Sequence, residues 1–395
     1  MKNVIGTPAR GDSFFPRERE VEKIISKLSD GNNLQIAAPR RIGKTSILFH
    51  LMDAKIGNYI YVYIDTEAVD NEQEFYKKLI KELMKVDEIK NSKRLKKLFE
   101  EGNKFLKRIK SIRVMGHGID FHEDEKEIDY LHDVINLLSG IEFDEDKSLI
   151  IMMDEFPQTV QNIVDANGGN AIKAQKFLQT NRELRVNPEI NKKIRFVITG
   201  SIGLNHTVSA IDSSAFVNDL NSLEVTALSE KEAKELLSEL LESKGRTIKD
   251  EAVEYLLEKI EWLIPFHIQL AVQEVLELSL RGDEVTVGMI DQAFEAIVQA
   301  RNNNHFEHYY SRLKRHFKSE DFKYVEELLQ VIAENGIIER AKAFDLSAKY
   351  GVEKNWRNVI EILMYDGYIN NNGDKNVFRF NSPILRMWWQ RFICK

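Results

Sequence analysis

A short run of residues near position 40 has the types and spacing that bind phosphate groups. Gly43, Lys44 and Thr45 follow the apolar residues 34–37 and precede residues 46–52, whose apolar pattern predicts a helix. Backbone N–H groups at such a helix start wrap phosphate oxygens, the lysine reaches the β- and γ-phosphates, and the threonine hydroxyl ligates Mg²⁺. The sequence therefore predicts a nucleotide phosphate loop, whose members are Ala38, Pro39, Arg40, Arg41, Ile42, Gly43, Lys44, Thr45 and Ser46.

This loop departs from the usual pattern at one position. Ala38 stands where the motif has its first glycine, and an alanine methyl group is tolerated there only if φ is negative. Pro39 stiffens the turn, and Arg40 and Arg41 add positive charge near the predicted phosphates.

Two acidic residues at the end of a second apolar run have the types and position needed to hydrolyse a nucleotide γ-phosphate. Residues 149–153 are continuously apolar, as in a central parallel strand, and Asp154 and Glu155 follow them. Asp154 is predicted to hold Mg²⁺ through water or Thr45, and Glu155 to polarise the water that attacks the γ-phosphate. The alternative is a strand that ends in two surface acids, and the phosphate loop upstream favours the catalytic interpretation.

The elements that must position these residues are strands separated by helical segments. Residues 194–201 predict a buried strand that ends in Thr199 and Ser201, either of which could bind the γ-phosphate or the attacking water, or merely form a turn rich in hydroxyl groups. Residues 59–65 and 223–228 predict two further strands. This alternation predicts an α/β fold with a doubly wound parallel sheet and the ligand at the carboxyl edge of its strands.

Composition sets limits on the class of protein. The chain has 395 residues, 43% hydrophobic and 30% charged, which is ordinary for a globular protein of two or three domains. The single cysteine, Cys394, allows no intrachain disulfide, and no apolar run has the length of a membrane span. We therefore expect a cytoplasmic protein without a membrane partner. The net charge of −7 argues against a general nucleic-acid coat but allows a local basic face.

Four motifs occur in one order along the chain: an aromatic-Pro-Arg-Glu entry at residues 14–20, the Pro-Arg-Arg loop, the strand ending Asp-Glu-Phe and the strand ending Gly-Ser. In these motifs the chain resembles the STAND-like and origin-recognition-type P-loop ATPases, an AAA+-related group, over nearly its whole length. The resemblance implies ATP and Mg²⁺ as cofactors. It also implies that Phe15, Arg17 and Glu18 contact adenine and ribose, although Pro16 replaces the usual glycine.

An insertion at about residues 71–146 separates the phosphate loop from Asp154. It contains a predicted helix at 74–86, a basic helix at 92–109 and an extended segment at 112–121. The basic residues fit a solvated face or a partner surface, and His117 and His122 lack the further ligands of a metal site. Downstream, a helix at 171–185 ends in Arg182 and Arg185. Either arginine could complete a neighbouring copy's site, or both could simply favour the helix C-terminus.

The C-terminal half predicts a helical lid and a further domain. Ser229 and Glu232 have the spacing of a capping box, and the resemblance implies that a turn at Pro265 contacts adenine. Beyond residue 302, three helices and a hairpin predict a winged helix-turn-helix. Its third helix carries polar and basic residues that suit duplex DNA, whereas the mild basic excess of the region favours protein docking or a self-inhibitory role. For the chain as a whole we expect a protein partner or self-association.

These expectations define three domains: a P-loop core at 1–228, a lid at 229–301 and a winged helix at 302–395. The predicted function is a molecular switch that binds ATP, hydrolyses it to ADP and is reset by hydrolysis. Two alternatives remain open: a DNA-binding regulator, initiator or transposition ATPase, and a scaffold that ATP stabilises without hydrolysis.

Overall fold

The structure is a computed structural model that describes residues 1–90, 130–141, 143, 147–201 and 203–394. The chain forms two compact units. The sheet unit contains Arg17–Ala37 and Ile47–Val225, and the helical unit contains Met1–Pro16, Ala38–Ser46 and Thr226–Lys395. The predicted basic helix at 92–109 and the segment with His117 and His122 lie outside the described residues. The three predicted domain boundaries stay predictions.

The sheet unit is built on five parallel strands in the order β2-β3-β4-β1-β5. The strands are β1 (Asn33–Ala37), β2 (Tyr59–Asp65), β3 (Ser148–Asp154), β4 (Ile194–Gly200) and β5 (Leu220–Glu224). The helices in its described part are α1 (Glu18–Ser29), α2 (Lys44–Asp53, which begins in the helical unit), α3 (Glu72–Leu83), α4 (Asp87–Lys90), α5 (Tyr130–Ser139), α6 (Phe156–Ala166), α7 (Ile172–Val186), α8 (Pro188–Asn191) and α9 (Leu204–Ser209). The predicted doubly wound α/β fold is confirmed.

The core of this unit follows from the apolar pattern of its elements. In β3, every residue from Leu149 to Met153 is buried, because the strand lies inside the sheet and is covered on both faces. Helix α3 buries one stripe at Phe75, Leu79 and Leu83. Each such side chain contributes roughly 1.5–3 kcal/mol of burial free energy. The parallel pairing of the strands also aligns their carboxyl ends at one edge of the sheet. Asp65 is opposite Asp154, and Ala37 is opposite Gly200.

The fifth strand corrects the predicted boundaries. It covers Leu220–Glu224 rather than 223–228. Its partner β1 ends at Ala37, opposite Glu224, so the ladder has no further residue to pair with. The chain then enters the helical unit at Thr226.

The helical unit is mainly α-helical. Its helices are α10 (Glu230–Glu242), α11 (Asp250–Ile260), α12 (Pro265–Leu278), α13 (Val287–Ile297), α14 (Glu307–His316), α15 (Ser319–Asn335), α16 (Arg340–Lys349), α17 (Trp356–Tyr365) and α18 (Pro383–Phe392). Its strands are β6 (Thr247–Ile248), β7 (Glu284–Val285), β8 (Ile337–Glu339), β9 (Ile369–Asn370) and β10 (Val377–Phe380). The predicted capping box is present, since Ser229 and Glu232 bond reciprocally at the start of α10. None of the described helices combines the length and apolarity needed to cross a membrane.

The last part of this unit contains the predicted three helices and hairpin. Strand β10 pairs antiparallel with β9, as predicted, and also with β8, which the sequence did not reveal. The aromatic residues of α18 dock on the unit itself, because Trp388 and Trp389 are buried. The winged-helix assignment itself stays a prediction.

Candidate nucleotide site

The phosphate loop joins the first strand of the sheet to the helix that follows it. It runs from the end of β1 to the start of α2 at Lys44, and Arg41 and Gly43 have φ values of 65° and 104°. A φ near 104° suits glycine, which has no Cβ to clash with the backbone. Ala38 is not among the residues with positive φ, which explains why an alanine is accepted in place of the first glycine.

The Lys44 side chain is directed into this loop. It is buried, and its ammonium donates to the carbonyl oxygens of Ala38 at 2.7 Å and Pro39 at 2.8 Å. Phosphate oxygens are stronger acceptors than carbonyl groups because they are charged. The ammonium is therefore already where a phosphate could replace these carbonyl groups. At the end of the loop, the Ser46 hydroxyl accepts a hydrogen bond from the Ala9 backbone N–H at 2.9 Å.

The sheet unit holds Asp154 in a network of hydrogen-bond donors. Asp154 is buried at the end of β3, and its carboxylate accepts from the Tyr63 hydroxyl at 3.1 Å, the Glu155 backbone N–H at 3.2 Å and the Thr199 hydroxyl. Burial and the nearby Asp154 charge raise the pKa of Tyr63, so this hydroxyl remains a donor at neutral pH. The sequence analysis did not identify Tyr63 as a site residue. The available indication was its hydroxyl group in the strand β2, which pairs with β3.

Glu155 turns the chain sharply between β3 and α6. Its φ of 57° and ψ of 29° are left-handed, a conformation that costs a non-glycine residue roughly 1–2 kcal/mol. One carboxylate oxygen, Oε2, accepts from both the backbone N–H and the hydroxyl of Ser201, at 3.0 and 2.8 Å. The ends of β3 and β4 thus bring together four of the predicted residues: Asp154, Glu155, Thr199 and Ser201.

Arg185 corrects the prediction of an arginine finger. It is 1% exposed, and its guanidinium bonds Asp219 through Nε at 2.7 Å and Nη2 at 2.9 Å, with a further bond from Nη2 to the Phe216 carbonyl at 2.7 Å. A finger must project from the surface to reach another copy, so Arg185 is a structural residue of α7 instead. Arg182 is 40% exposed, and its Nε lies 3.9 Å from Asp219.

The residues expected to contact adenine are spread over both units. Phe15 and Pro265 lie in the helical unit, where Pro265 is the first residue of α12. Arg17 and Glu18 lie in the sheet unit; Arg17 is buried and bonds Glu20 at 2.8 Å, whereas Glu18 is exposed at the start of α1. Their contacts with adenine stay predictions.

The donor set agrees with Mg²⁺ bound together with a nucleotide. Among the described residues, no group of three or more His, Cys, Asp or Glu side chains could hold a metal ion by itself. Mg²⁺ does not need such a cage, because it commonly uses one or two carboxylates, water and the substrate phosphates. Asp154 provides a hard oxygen ligand whose position is fixed by its donors.

These features define a class of fold. A parallel sheet, a Gly-Lys-Thr loop between the first strand and its helix, and an acidic pair at the end of another strand are the parts of a P-loop NTPase fold. No protein-family model matches the sequence, and no curated protein sequence matches it either.

Solved structures share this fold. The Walker-type ATPase of Pyrococcus abyssi matches with a TM-score of 0.65 and 15% identity, over 99% of this chain and 100% of that one. The Aeropyrum pernix ORC2 protein, in its ADPNP–ADP complexes, matches with a TM-score of 0.54 and 14% identity, over 95% of this chain and 93% of that one. The chain therefore has the P-loop fold of these two proteins.

Proposed function

We propose that this protein binds ATP with Mg²⁺ and hydrolyses it slowly, as a nucleotide-dependent switch. The observation that carries the proposal is the Lys44 ammonium, held inside a loop whose carbonyl groups a phosphate can replace. The acidic pair on the sheet unit supports hydrolysis rather than binding alone.

Each residue has a defined part in this proposal. Lys44 exchanges the carbonyl groups of Ala38 and Pro39 for β- and γ-phosphate oxygens. Thr45 and Asp154 keep the roles expected from the sequence, as ligands of Mg²⁺, which when bound neutralises charge on the phosphates. The Thr199 hydroxyl fixes the orientation of Asp154.

Glu155 sets the rate in this proposal. Its carboxylate is held by two donors on Ser201, and a general base must instead face the attacking water. Turnover is therefore slow until this pair of hydrogen bonds is broken. We propose that ATP and ADP favour different arrangements of core and lid, and that hydrolysis resets the switch.

The first experiment measures ATP binding and phosphate release by wild type, Lys44→Ala and Glu155→Gln. We expect Lys44→Ala to lose ATP binding, and Glu155→Gln to bind ATP normally but to release little phosphate. Glu189→Gln is the matched control, because Glu189 is an exposed surface residue of α8 and its change removes the same charge. If Lys44→Ala binds and hydrolyses ATP like wild type, the proposed site is wrong. An ATP-induced rise in melting temperature without phosphate release would favour the non-hydrolysing scaffold.

A Ser201→Ala variant tests the proposed restraint on Glu155. The substitution removes one of two hydrogen bonds, worth about 1 kcal/mol, so we expect turnover to rise roughly fivefold. A fall in turnover would instead favour Ser201 as a direct contact of the γ-phosphate.

The second candidate function is a DNA-handling ATPase. One observation favours it: four polar residues at the start of α17 are exposed, namely Lys354, Asn355, Arg357 and Asn358. Such residues suit phosphate and base contacts in duplex DNA. This function predicts a duplex affinity that falls steeply with salt, depends on nucleotide and is reduced in Lys354→Glu, but not in Lys375→Glu. A protein partner or self-association at this surface predicts no duplex binding.

A further inference from the structure

Basic and hydroxyl side chains of the phosphate loop and of a later segment lie near one another within the helical unit. Two come from the loop and the others from the segment that leads into α14 and from α14 itself. We call this group the cationic cluster; its members are Arg40, Arg41, His305, His308, Tyr309 and Arg312.

Shared neighbours connect the loop residues with the rest of the cluster. The Arg41 guanidinium lies 4.4 Å from the ring centroid of Phe266, a cation–π contact, and the ring of His305 lies 5.8 Å from the same phenyl ring. Pro39 closely approaches Gly367, since a Cβ added to that glycine would lie 3.0 Å from the Pro39 Cβ. The following residue, Tyr368, packs its ring against that of Tyr309 at 5.6 Å.

Arg41 carries a desolvated charge without a matching carboxylate. Among the described residues, no acidic group lies within salt-bridge distance of it, and burial lowers the pKa of its guanidinium. Two carboxylates lie beside the cluster, and both are paired: Asp366 with Arg312 at 3.2 Å, and Glu274, which lies near His305, with Arg301. A partly buried guanidinium without an ion pair is unfavourable, and a bound anion would remove this cost.

The cluster also contains buried groups that lack hydrogen bonds. Tyr309 is 2% exposed, and its hydroxyl has no partner in the described part of the chain. Both ring nitrogens of His308 also lack partners there, and the two rings lie 4.4 Å apart. Burial, followed by the charges of Arg40 and Arg41, lowers the pKa of His308 to about 2, so its ring is neutral and retains one N–H donor. Buried donors normally have acceptors, so an acceptor with negative charge fits all of these groups together.

We propose that the cationic cluster is a second phosphate-binding site, in which Arg41, Tyr309 and His308 donate to the oxygens of one phosphate group. Helical spacing supports this, because positions 308, 309 and 312 lie on one side of α14. The phosphate is either the terminal phosphate of ATP or that of a separate molecule. In the first form the inference rests on the proposed function; in the second it stands without it.

The test is stabilisation by inorganic phosphate, measured as the midpoint of thermal unfolding against chloride at equal ionic strength. The variants are Tyr309→Phe, which removes only the hydroxyl, and Arg41→Gln; their matched controls on α14 are Tyr310→Phe and Arg315→Gln. Lys44→Ala removes the lysine with which the phosphate loop itself would bind phosphate. We expect wild type, both controls and Lys44→Ala to be stabilised by phosphate. Tyr309→Phe and Arg41→Gln should need about tenfold more phosphate for the same shift.

Three outcomes would overturn the proposal. They are equal phosphate dependence in all variants, no effect of phosphate beyond that of chloride, and loss of the effect in Lys44→Ala alone. The last result would mean that phosphate binds only to the phosphate loop.

Titrations with ATP and ADP then identify the source of the phosphate. If Tyr309→Phe weakens ATP about tenfold but leaves ADP within twofold of wild type, the site takes the terminal phosphate of the nucleotide. If neither affinity changes and inorganic phosphate still stabilises the nucleotide-saturated wild type, the site takes a separate phosphate. A wild type that binds no ATP but keeps the phosphate pattern would remove the proposed function and leave this site in place.

Discussion

The buried pair of Arg185 and Asp219 gives the strongest prediction about stability. Three hydrogen bonds fix the guanidinium: two to Asp219 and one to the carbonyl of Phe216. In Arg185→Met these are lost, and Asp219, whose side chain is 13% exposed, keeps a charge with little access to water. Removing one partner of such a pair typically costs 3–5 kcal/mol. We therefore expect the free energy of unfolding of the sheet unit to fall by about 3–4 kcal/mol.

The assay must report on the sheet unit. All four tryptophans lie in the helical unit, so their fluorescence does not follow unfolding of the sheet directly. Native-state hydrogen exchange of the β3 and β4 amides, in increasing urea, measures the opening free energy of these strands. Adding Asp219→Leu to Arg185→Met should restore more than half of the loss, because no unpaired charge remains.

Arg182→Met is the matched control. Arg182 is on the same helix and is 40% exposed, so its loss should cost less than about 1 kcal/mol. If Arg185→Met changes the opening free energy by less than 1 kcal/mol but abolishes ATP hydrolysis, the reasoning from burial fails and the role of an arginine finger returns.

Two further predictions concern the helical unit. Gly367→Ala should destabilise it by at least about 1 kcal/mol more than Gly373→Ala: both glycines have φ near 80°, but only the Cβ at Gly367 meets Trp262 and Pro39, at 2.6 and 3.0 Å. Equal losses in urea unfolding followed by tryptophan fluorescence would contradict this. The second prediction is an acid-sensitive stability, because burial lowers the pKa of His267 from 6.5 to about 4. Between pH 6.5 and pH 4 the unfolded chain takes up this proton and the folded chain does not, so the contribution of His267 to stability should fall by about 2 kcal/mol from pH 7 to pH 5. His267→Gln should lack this part of the slope; an unchanged slope would contradict the assignment.

Local chemistry made much of the site predictable. Gly43, Lys44 and Thr45 define the phosphate loop within three consecutive positions. The strand at 59–65 has the predicted bounds, because a run of strand-forming residues and the turn residues beside it are neighbours in sequence. Residues 149–153 were recognised as a central strand because a sheet buried on both faces needs an uninterrupted apolar run.

The rest depended on contacts between residues that are distant in sequence. The bond from Ser201 to Glu155 joins positions 46 apart, and the pairing of Arg185 with Asp219 joins positions 34 apart. No periodicity marks such a pair, so Arg185 looked like any cation at a helix end. Strand β8 is three residues long, too short for an alternating pattern to be seen.

Because the phosphate loop belongs to the helical unit, a truncated chain without that unit lacks the residues that pack against the loop. A fragment cut at residue 228 keeps all four motifs found in the sequence, and from the sequence alone it would be the natural piece to express. It would also lack Phe266 and Gly367, against which Arg41 and Pro39 pack. We expect such a fragment to retain the sheet but to leave its nucleotide loop loosely ordered and open to proteases. Activity lost on truncation would then say nothing about a catalytic role of the C-terminal region.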